Sequence, residues 1–235
     1  DSYKTMLGYP TVGRAYANTV LYAVTGTLLT LILTAITAFP LAVAKFRSQK
    51  YFVIYFIVTM FFHGGMIPTF LVIKNLGMID SIWAMILPTA LTAWNLMIFR
   101  AFYMGIPPSL HESAYMDGAH DWFVLFRIII PLSKPVIATI ALFTVVRHWN
   151  AFFSALLYLN SASKYPVQMI LQNILTGAQS LQLQQDGSNA EFLENVSTES
   201  LKTASIMVVT APVIAIYPFV QKYFVKGVMI GSVKG

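Results

Sequence analysis

Thr144, Arg147, Asn150 or Ala151, Ser154 and Tyr158 recur at steps of three or four through an apolar stretch of this 235-residue sequence, a spacing that sets them on one face of a helix. Arg147 is the charged member, and a guanidinium pairs bidentately with a carboxylate. The chemistry on offer is therefore recognition of an anion, with a structural hydrogen bond to a partner helix as the alternative. Trp94 and Asn95, in an earlier apolar stretch, offer stacking and hydrogen bonding to a ligand or contacts between helices. Bond-breaking chemistry finds no support. HExxH and GxSxG are absent, and no acid or nucleophile is spaced to make His63 or His148 catalytic, so each is expected to be a helix-packing hydrogen bonder. Without cysteine there is neither a disulfide framework nor a thiolate metal site. No GxxxxGK[ST] loop occurs, so the chain does not bind ATP in the P-loop manner.

A second group spans 112–131, ESAYMDGAHDWFVLFRIIIP, where acids, a His and an Asp-Gly pair gather between apolar runs. Ser109-Leu110-His111-Glu112 reads as a capping box, with Ser hydroxyl and Glu carboxylate satisfying reciprocal orphan amides. It predicts a helix from about Leu110, just after Pro107-Pro108, broken at Asp117-Gly118 where glycine tolerates a left-handed turn. A second short helix follows through Trp122, Phe123 and Phe126. Leu110, Ala114, Tyr115, Trp122 and Phe126 are expected to be exposed on elements too short to form a domain. Such a face suits docking into a groove on another protein or lying on lipid at headgroup level, and the residues by themselves leave both open.

These residues must be positioned by membrane helices. The chain is 57% hydrophobic and 10% charged, its mean hydropathy is +0.68, and runs of about 20 apolar residues, the length of one bilayer span, recur. The fold class is an all-α polytopic membrane protein. Five spans are expected, over 16–44, from 51 to an interruption at His63-Gly64-Gly65 and Pro68, then 82–103, 135–159 and 203–224, with 69–78 along the outer interface. Pro40 and Pro212 fall inside spans, where neighbouring helices can satisfy the groups they free. Thr27, Thr30, Thr34 and Thr37 read as small-residue packing in the first. No Asp or Glu lies within a span, which argues against a proton- or sodium-coupled carrier.

Orientation follows the basic loops. Lys45, Arg47 and Lys50, then Arg100, Arg127 and Lys134, then Lys222, Lys226 and Lys234 mark the cytoplasmic side. This places the segment 105–134 and the C-terminus inside and the long polar loop 160–202 outside, with its stretch 178–197 expected to be solvated and mobile or an outer contact surface. Net charge of +6 reflects this asymmetry rather than a nucleic-acid partner. Five spans put Asp1 outside, so a further N-terminal helix entering from the cytoplasm is expected.

Glu112-Ser113-Ala114, three residues, Gly118, nine residues, then Ile128, one residue, Ile130-Pro131 resembles the EAA-x3-G-x9-I-x-L-P motif of ABC-importer permeases, with Ser113 for Ala and Ile130 for Leu. Trp149-Asn150, the closing GVMIGSVKG (227–235) and KNLGMIDSIWAMILP (74–88) extend the likeness to carbohydrate importers of the maltose-type class, most of all to the second permease of complex or acidic oligosaccharide systems. The resemblance implies the type I importer permease fold in a single transmembrane domain, 1–235, of the bacterial cytoplasmic membrane. It implies that Glu112, Ser113, Ala114, Asp117, Gly118, Trp122, Phe126 and Pro131 couple to an ATPase. It adds Trp149 to Arg147, Asn150, Ser154, Tyr158, Trp94 and Asn95 as candidates for the substrate pathway. The implied partners are a second homologous permease, two ATP-binding subunits that carry ATP and Mg, an external solute-binding protein and the lipid bilayer, with no cofactor in this chain. An acidic oligosaccharide such as an alginate or pectin fragment is the expected substrate. The alternatives are a neutral sugar, a polyol or a phosphorylated sugar, or a receptor or assembly subunit that does not transport.

Overall fold

The computed structural model describes residues 10–43, 47–184 and, further on, 203, 206, 207, 209–212 and 214, and all regular structure among them is helical. The first helix, α1 (Pro10–Ala42), has 33 residues. At about 1.5 Å per residue it is long enough to cross the roughly 30 Å hydrocarbon core and project beyond it. It continues two residues past Pro40, and its end is well capped. The Gln49 amide donates to the Leu41 carbonyl (2.7 Å) and Arg100 Nε donates to the same oxygen (2.8 Å). A cation and donors suit a helix C-terminus, where carbonyls lack partners and the dipole is negative.

Elsewhere the spans are broken. Helix α2 (Gln49–Phe61) and α3 (Met66–Asn75) meet at 112°. The interruption falls at His63-Gly64-Gly65 as expected, with Gly65 at φ +90°. Pro68 is not part of it. It lies in the first turn of α3, where no intrahelical donor is required of it. The expected single span 82–103 is two pieces. After α4 (Ile82–Ile86), Pro88 allows only a 3₁₀ turn, Leu87–Thr89. Thr92 then caps α5 (Ala93–Met104), accepting from the Asn95 amide at 3.3 Å, and the pieces are bent by 50°.

Helix α6 (Pro108–Met116) precedes α7 (Asp121–Leu132), which is wound as π-helix over Val124–Ile129. The π stretch lies immediately upstream of Pro131, which has no N–H for the carbonyl one turn back. Helix α7 meets α8 (Lys134–Trp149) at 78°. The expected span 135–159 is likewise divided, because α8 stops at Trp149 and α9 (Phe152–Tyr158) restarts after a turn.

The expected polar loop 160–202 is largely ordered in its first half. A 3₁₀ turn, Ala162–Lys164, leads into α10 (Val167–Gln184). The Gln-rich composition hides an apolar stripe in which Val167 and Met169 are buried. Residues 185–202 lie outside the described residues. So does most of the expected span 203–224, whose described positions are helical.

Contacts divide the chain into two compact units. Among the described residues, one comprises 10–24, 73–85, 145–184 and the described positions from 203 to 214, and is centred on Ala15, Trp149, Val167 and Val209. The other comprises 25–43, 47–72 and 86–144 among the described residues. Its core joins Ala35, Ala38 and Phe39 of α1 to Leu96, Phe99 and Tyr103 of α5, Val124, Leu125 and Ile129 of α7, and Val136 and Ile140 of α8. Small residues on α1 let the helix backbones approach, the usual source of packing energy in lipid. Helix α2 buries none of its residues and is apolar all round, as a helix facing lipid or another subunit must be.

Candidate functional site

The segment 105–134 is built from its turns. Pro107 precedes α6 and Pro108 occupies its first position, where a missing N–H costs nothing. The expected capping box is therefore not formed. Helix α6 starts one residue before Ser109 can act as cap, and no side chain caps it. The Ser113 hydroxyl instead donates to the Leu110 carbonyl at 3.2 Å, and Glu112 is exposed.

The break at Asp117-Gly118 is as expected, and its cause is visible. Gly118 has φ +81° and its N–H donates to the Tyr115 carbonyl (3.0 Å), while the Ala119 N–H donates to Ala114 (2.9 Å). These two bonds are the left-handed glycine cap that satisfies the last carbonyls of a helix. A Cβ at Gly118 would meet nothing within 4 Å, so only the backbone conformation demands glycine there.

Across the turn, the Tyr115 hydroxyl donates to Asp121 Oδ1 at 2.8 Å. Burial, followed by the Asp121 carboxylate, pushes the phenol up to about 12. Ala114, Tyr115 and Ala119 pack against the core beneath, so Ala114 and Tyr115 are half-buried rather than exposed as expected. The apolar face presented outward is Leu110, Met116, Trp122, Phe123 and Phe126. Met116 is the most exposed of these at 88%, and the sequence reading had passed over it. Trp122 and Phe126, one turn apart, stack with ring centroids 5.9 Å apart and planes at 15°. Pro131 lies in the last turn of α7.

The second group sits at the break between α8 and α9. The Phe152 N–H donates to the Asn150 carbonyl at 2.8 Å, across Ala151 at φ −77°, ψ +48°, an inverse γ-turn. This turn ends the helical register, so Ser154 and Tyr158 do not continue the face of Thr144 and Arg147 as a single helix would require. Each candidate has its own surroundings. The Thr144 hydroxyl is buried and donates to Ile140 (2.8 Å). Trp149 is buried, its Nε1 donating to the Val209 carbonyl (3.2 Å) and its ring 6.1 Å from that of Tyr16. Asn150 is exposed and accepts from Gln168 Nε2 (3.1 Å). Ser154 is half-buried and Tyr158 buried. Arg147 is half-buried and has neither an ion pair nor a hydrogen-bond acceptor among the described residues. His148 beside it is buried, with Nε2 unpartnered among them, so the expected packing hydrogen bond is not seen at that atom.

Trp94 and Asn95 belong to the other unit. They point apart, since Trp94 is exposed whereas Asn95 is buried with both amide atoms unpartnered among the described residues. Thr27, Thr30 and Thr34 are buried as expected, and their hydroxyls likewise have no partner there.

A third cluster escaped the sequence reading. Asp80, at φ +58°, accepts the N–H groups of Asn160 and Ser161 on Oδ1 (both 3.0 Å). On Oδ2 it accepts the Ser161 hydroxyl (2.6 Å) and Lys164 Nζ (2.7 Å). Its own N–H donates to the Tyr158 carbonyl at 2.7 Å. The Lys164 and Ser161 donors hold the carboxyl well below the usual carboxylate range. The same segment is tied to α1. Asn18 Nδ2 donates to the carbonyls of Ser163 and Tyr165, the Tyr22 hydroxyl to Lys164, and the Val167 N–H to Thr19 Oγ1.

The described residues thus form apolar helices, up to four of them able to cross a membrane if each bent pair is one span, with an exposed aromatic face on α6 and α7. Residues 11–230 match the family described as binding-protein-dependent transport system inner membrane component, and the chain belongs to it. It is a membrane transport permease of the type I importer fold and not an enzyme. The chain is 41% identical over its whole length, and over 82% of the relative, to the polygalacturonan/rhamnogalacturonan transport system permease YtcP of Bacillus subtilis. It is 30% identical over 94% of its length, and 73% of the relative, to the arabinooligosaccharides permease AraQ of the same organism. A crystal structure of a bacterial ABC transporter involved in import of the acidic polysaccharide alginate contains a similar chain, with TM-score 0.85 and 33% identity over 95% of this chain and 79% of that one.

Proposed function

We propose that this chain is a pore-forming permease subunit of an ATP-driven importer of acidic oligosaccharides in a bacterial cytoplasmic membrane. It pairs with a second permease, two ATP-binding subunits and an external solute-binding protein, with 1–235 as one transmembrane domain and its C-terminus inside. The observation that carries the acidic substrate is Arg147. A guanidinium at a break in a membrane helix, with no anion among the described residues, costs at least about 2.5 kcal/mol unless it faces a hydrated path or an anionic partner. A passing uronate supplies that anion bidentately. The relative named for polygalacturonan/rhamnogalacturonan and the neighbour named for alginate support the same class.

In this reading Glu112, Ser113, Ala114, Asp117 and Gly118, with Trp122, Phe126 and Pro131, form the ATPase-coupling element. Closure of the ATPases moves α6 and α7 as a rigid pair and switches the spans between inward- and outward-open states. The cofactor, ATP with Mg, belongs to those subunits. Arg147, Asn150 and Ser154 are the pathway residues best placed to meet substrate. Trp149 and Tyr158 support them from within the packing.

The test is uptake into vesicles carrying the assembled transporter, with oligogalacturonides against their methyl-esterified counterparts, which keep the sugar chain and remove its charge. Arg147→Gln is expected to depress acid uptake and narrow the difference between the two substrates. Equal uptake of both by the unmodified transporter would return the substrate to neutral sugars, the reading favoured by the arabinooligosaccharide relative. Failure of Arg147→Gln to assemble would instead assign that residue to a subunit contact.

A further inference from the structure

Beside the coupling element lies an open cleft of about 320 Å³, lined by Ile36, Phe39 and Pro40 of α1 and by Asp121, Trp122 and Leu125 of α7. Five of these are apolar and Asp121 brings the charge. Its Oδ1 accepts the Tyr115 hydroxyl, and its Oδ2 has no partner among the described residues. One residue past Pro40, the Leu41 carbonyl holds Arg100 by Nε at 2.8 Å. The terminal amino groups of that guanidinium have no partner among the described residues. The cleft thus combines an apolar floor, an acceptor carboxylate, an indole face and, next to its rim, a fixed cation.

Its place at the end of a candidate membrane span narrows the choice of occupant. Ile36 to Pro40 are the last turns of a membrane helix that ends at Ala42, and Trp122 is of the residue type that collects at headgroup level. We propose that this cleft is a lipid site selective for a phospholipid with a primary ammonium headgroup. The ammonium sits on Asp121 and against the Trp122 ring, a cation over an indole face. The phosphate faces Arg100, and an acyl chain runs along Ile36, Phe39 and Leu125. An anionic headgroup without an amine brings a second negative charge to Asp121 and is disfavoured. A lipid held here touches both the end of α1 and the start of α7, so it joins a membrane span to the coupling element. The site rests only on the helix being embedded in a bilayer, and stands whatever the transported solute.

The assembled transporter, solubilised from vesicles of equal phosphatidylethanolamine and phosphatidylglycerol, is analysed by native mass spectrometry for retained lipid. Unmodified protein is expected to enrich phosphatidylethanolamine about tenfold over the bulk ratio, the worth of one good charge-assisted contact. Asp121→Asn should bring the ratio close to bulk, and Arg100→Gln should weaken retention of both lipids. Retention at the bulk ratio by unmodified protein overturns the proposal, and so does an unaltered ratio in Asp121→Asn. If Asp121→Asn instead releases the ATPase subunits while the lipid ratio holds, the occupant is a protein cation and the proposal fails. Should that variant not assemble, unmodified protein in phosphatidylcholine decides. Loss of enrichment on trimethylating the amine supports a hydrogen-bonded ammonium, and equal retention overturns it.

Discussion

Gly118 and Asp80 both hold a positive φ at a chain reversal, and they are stabilised in opposite ways. At Gly118 the turn is closed by its own neighbours, through backbone bonds to Tyr115 and Ala114. Gly77, three residues before Asp80, does the same for α3, with its N–H on Lys74 and that of Met78 on Ile73. Asp80 pays for its left-handed backbone with contacts far along the chain, at 158, 160, 161 and 164. A glycine cap is a local device that can tilt as a unit with its helix. A carboxylate gripping four donors fixes two remote segments together. On the proposed function the first suits an element that moves, whereas the Asp80 cluster suits one that stays.

Breaking the Asp80 cluster should give the largest effect. Asp80→Ala removes every side-chain bond to 160–164, and amide exchange at Asn160 and Ser161 is expected to accelerate by roughly tenfold or more. Exchange across 114–119 should be unaltered. Equal acceleration in both regions would show that the two turns are not independent. The pH dependence has a definite sign. A depressed carboxyl stabilises above its unfolded value, near 3.9, and that stabilisation is lost as pH falls through the folded value. Protection at 160–161, taken relative to the unstructured exchange rate at each pH, should therefore be flat from neutrality to about pH 5 and fall only in stronger acid.

Gly118→Leu comes next. A left-handed backbone costs a residue with a Cβ about 1–2 kcal/mol. With nothing within 4 Å to clash, that is the whole local penalty. Transport per ATP hydrolysed should fall while the membrane part still assembles. Gly118→Asn should recover much of it, because Asn tolerates this conformation. If Asn is as damaging as Leu, the side chain itself obstructs docking.

Tyr115→Phe should be milder, about 1 kcal/mol for one neutral-to-charged hydrogen bond partly open to water. Its sign opposes that of Asp80. A phenol raised to about 12 stabilises fully below its unfolded value near 10, and the contribution is lost as pH climbs from there through 12. A phenolate absorbance step missing above pH 11 in Tyr115→Phe would identify the group. Smallest of all is Ser109→Ala. With no cap bond to lose, it should change stability by less than about 0.5 kcal/mol. A loss of 1 kcal/mol or more on thermal unfolding would show that the capping box does form. Glu112→Ala should be equally quiet in stability and read out instead as weaker ATPase association.

The legible features were those whose cause lies within a few residues. The long first span, the break at His63-Gly64-Gly65 and the turn at Asp117-Gly118 follow from apolar length and from the freedom of glycine. The capping box misled because Ser109 and Glu112 have the right spacing, yet Pro108 already supplies a first helical residue at no cost. The continuous face through Tyr158 misled because spacing assumes an unbroken helix. No proline or glycine near Ala151 announces the γ-turn. Tyr115 looked like an exposed aromatic, and only packing on the core beneath and the Asp121 partner place it otherwise.

By itself the sequence determined that this chain is helical with apolar runs long enough to cross a membrane, and that it carries the fixed-spacing motif of a permease family. Both follow from quantities summed along the chain, apolar length and residue interval. Tertiary structure alone decided that Asp80 meets Lys164, that Trp149 is packing against Tyr16 and Val209, and that Arg147 stands at a helix end. Those outcomes depend on which remote donors and surfaces arrive beside a residue. Separations of 60 and 84 residues or more leave no periodic trace, because the energy that selects them belongs to the packed helices and not to any one segment.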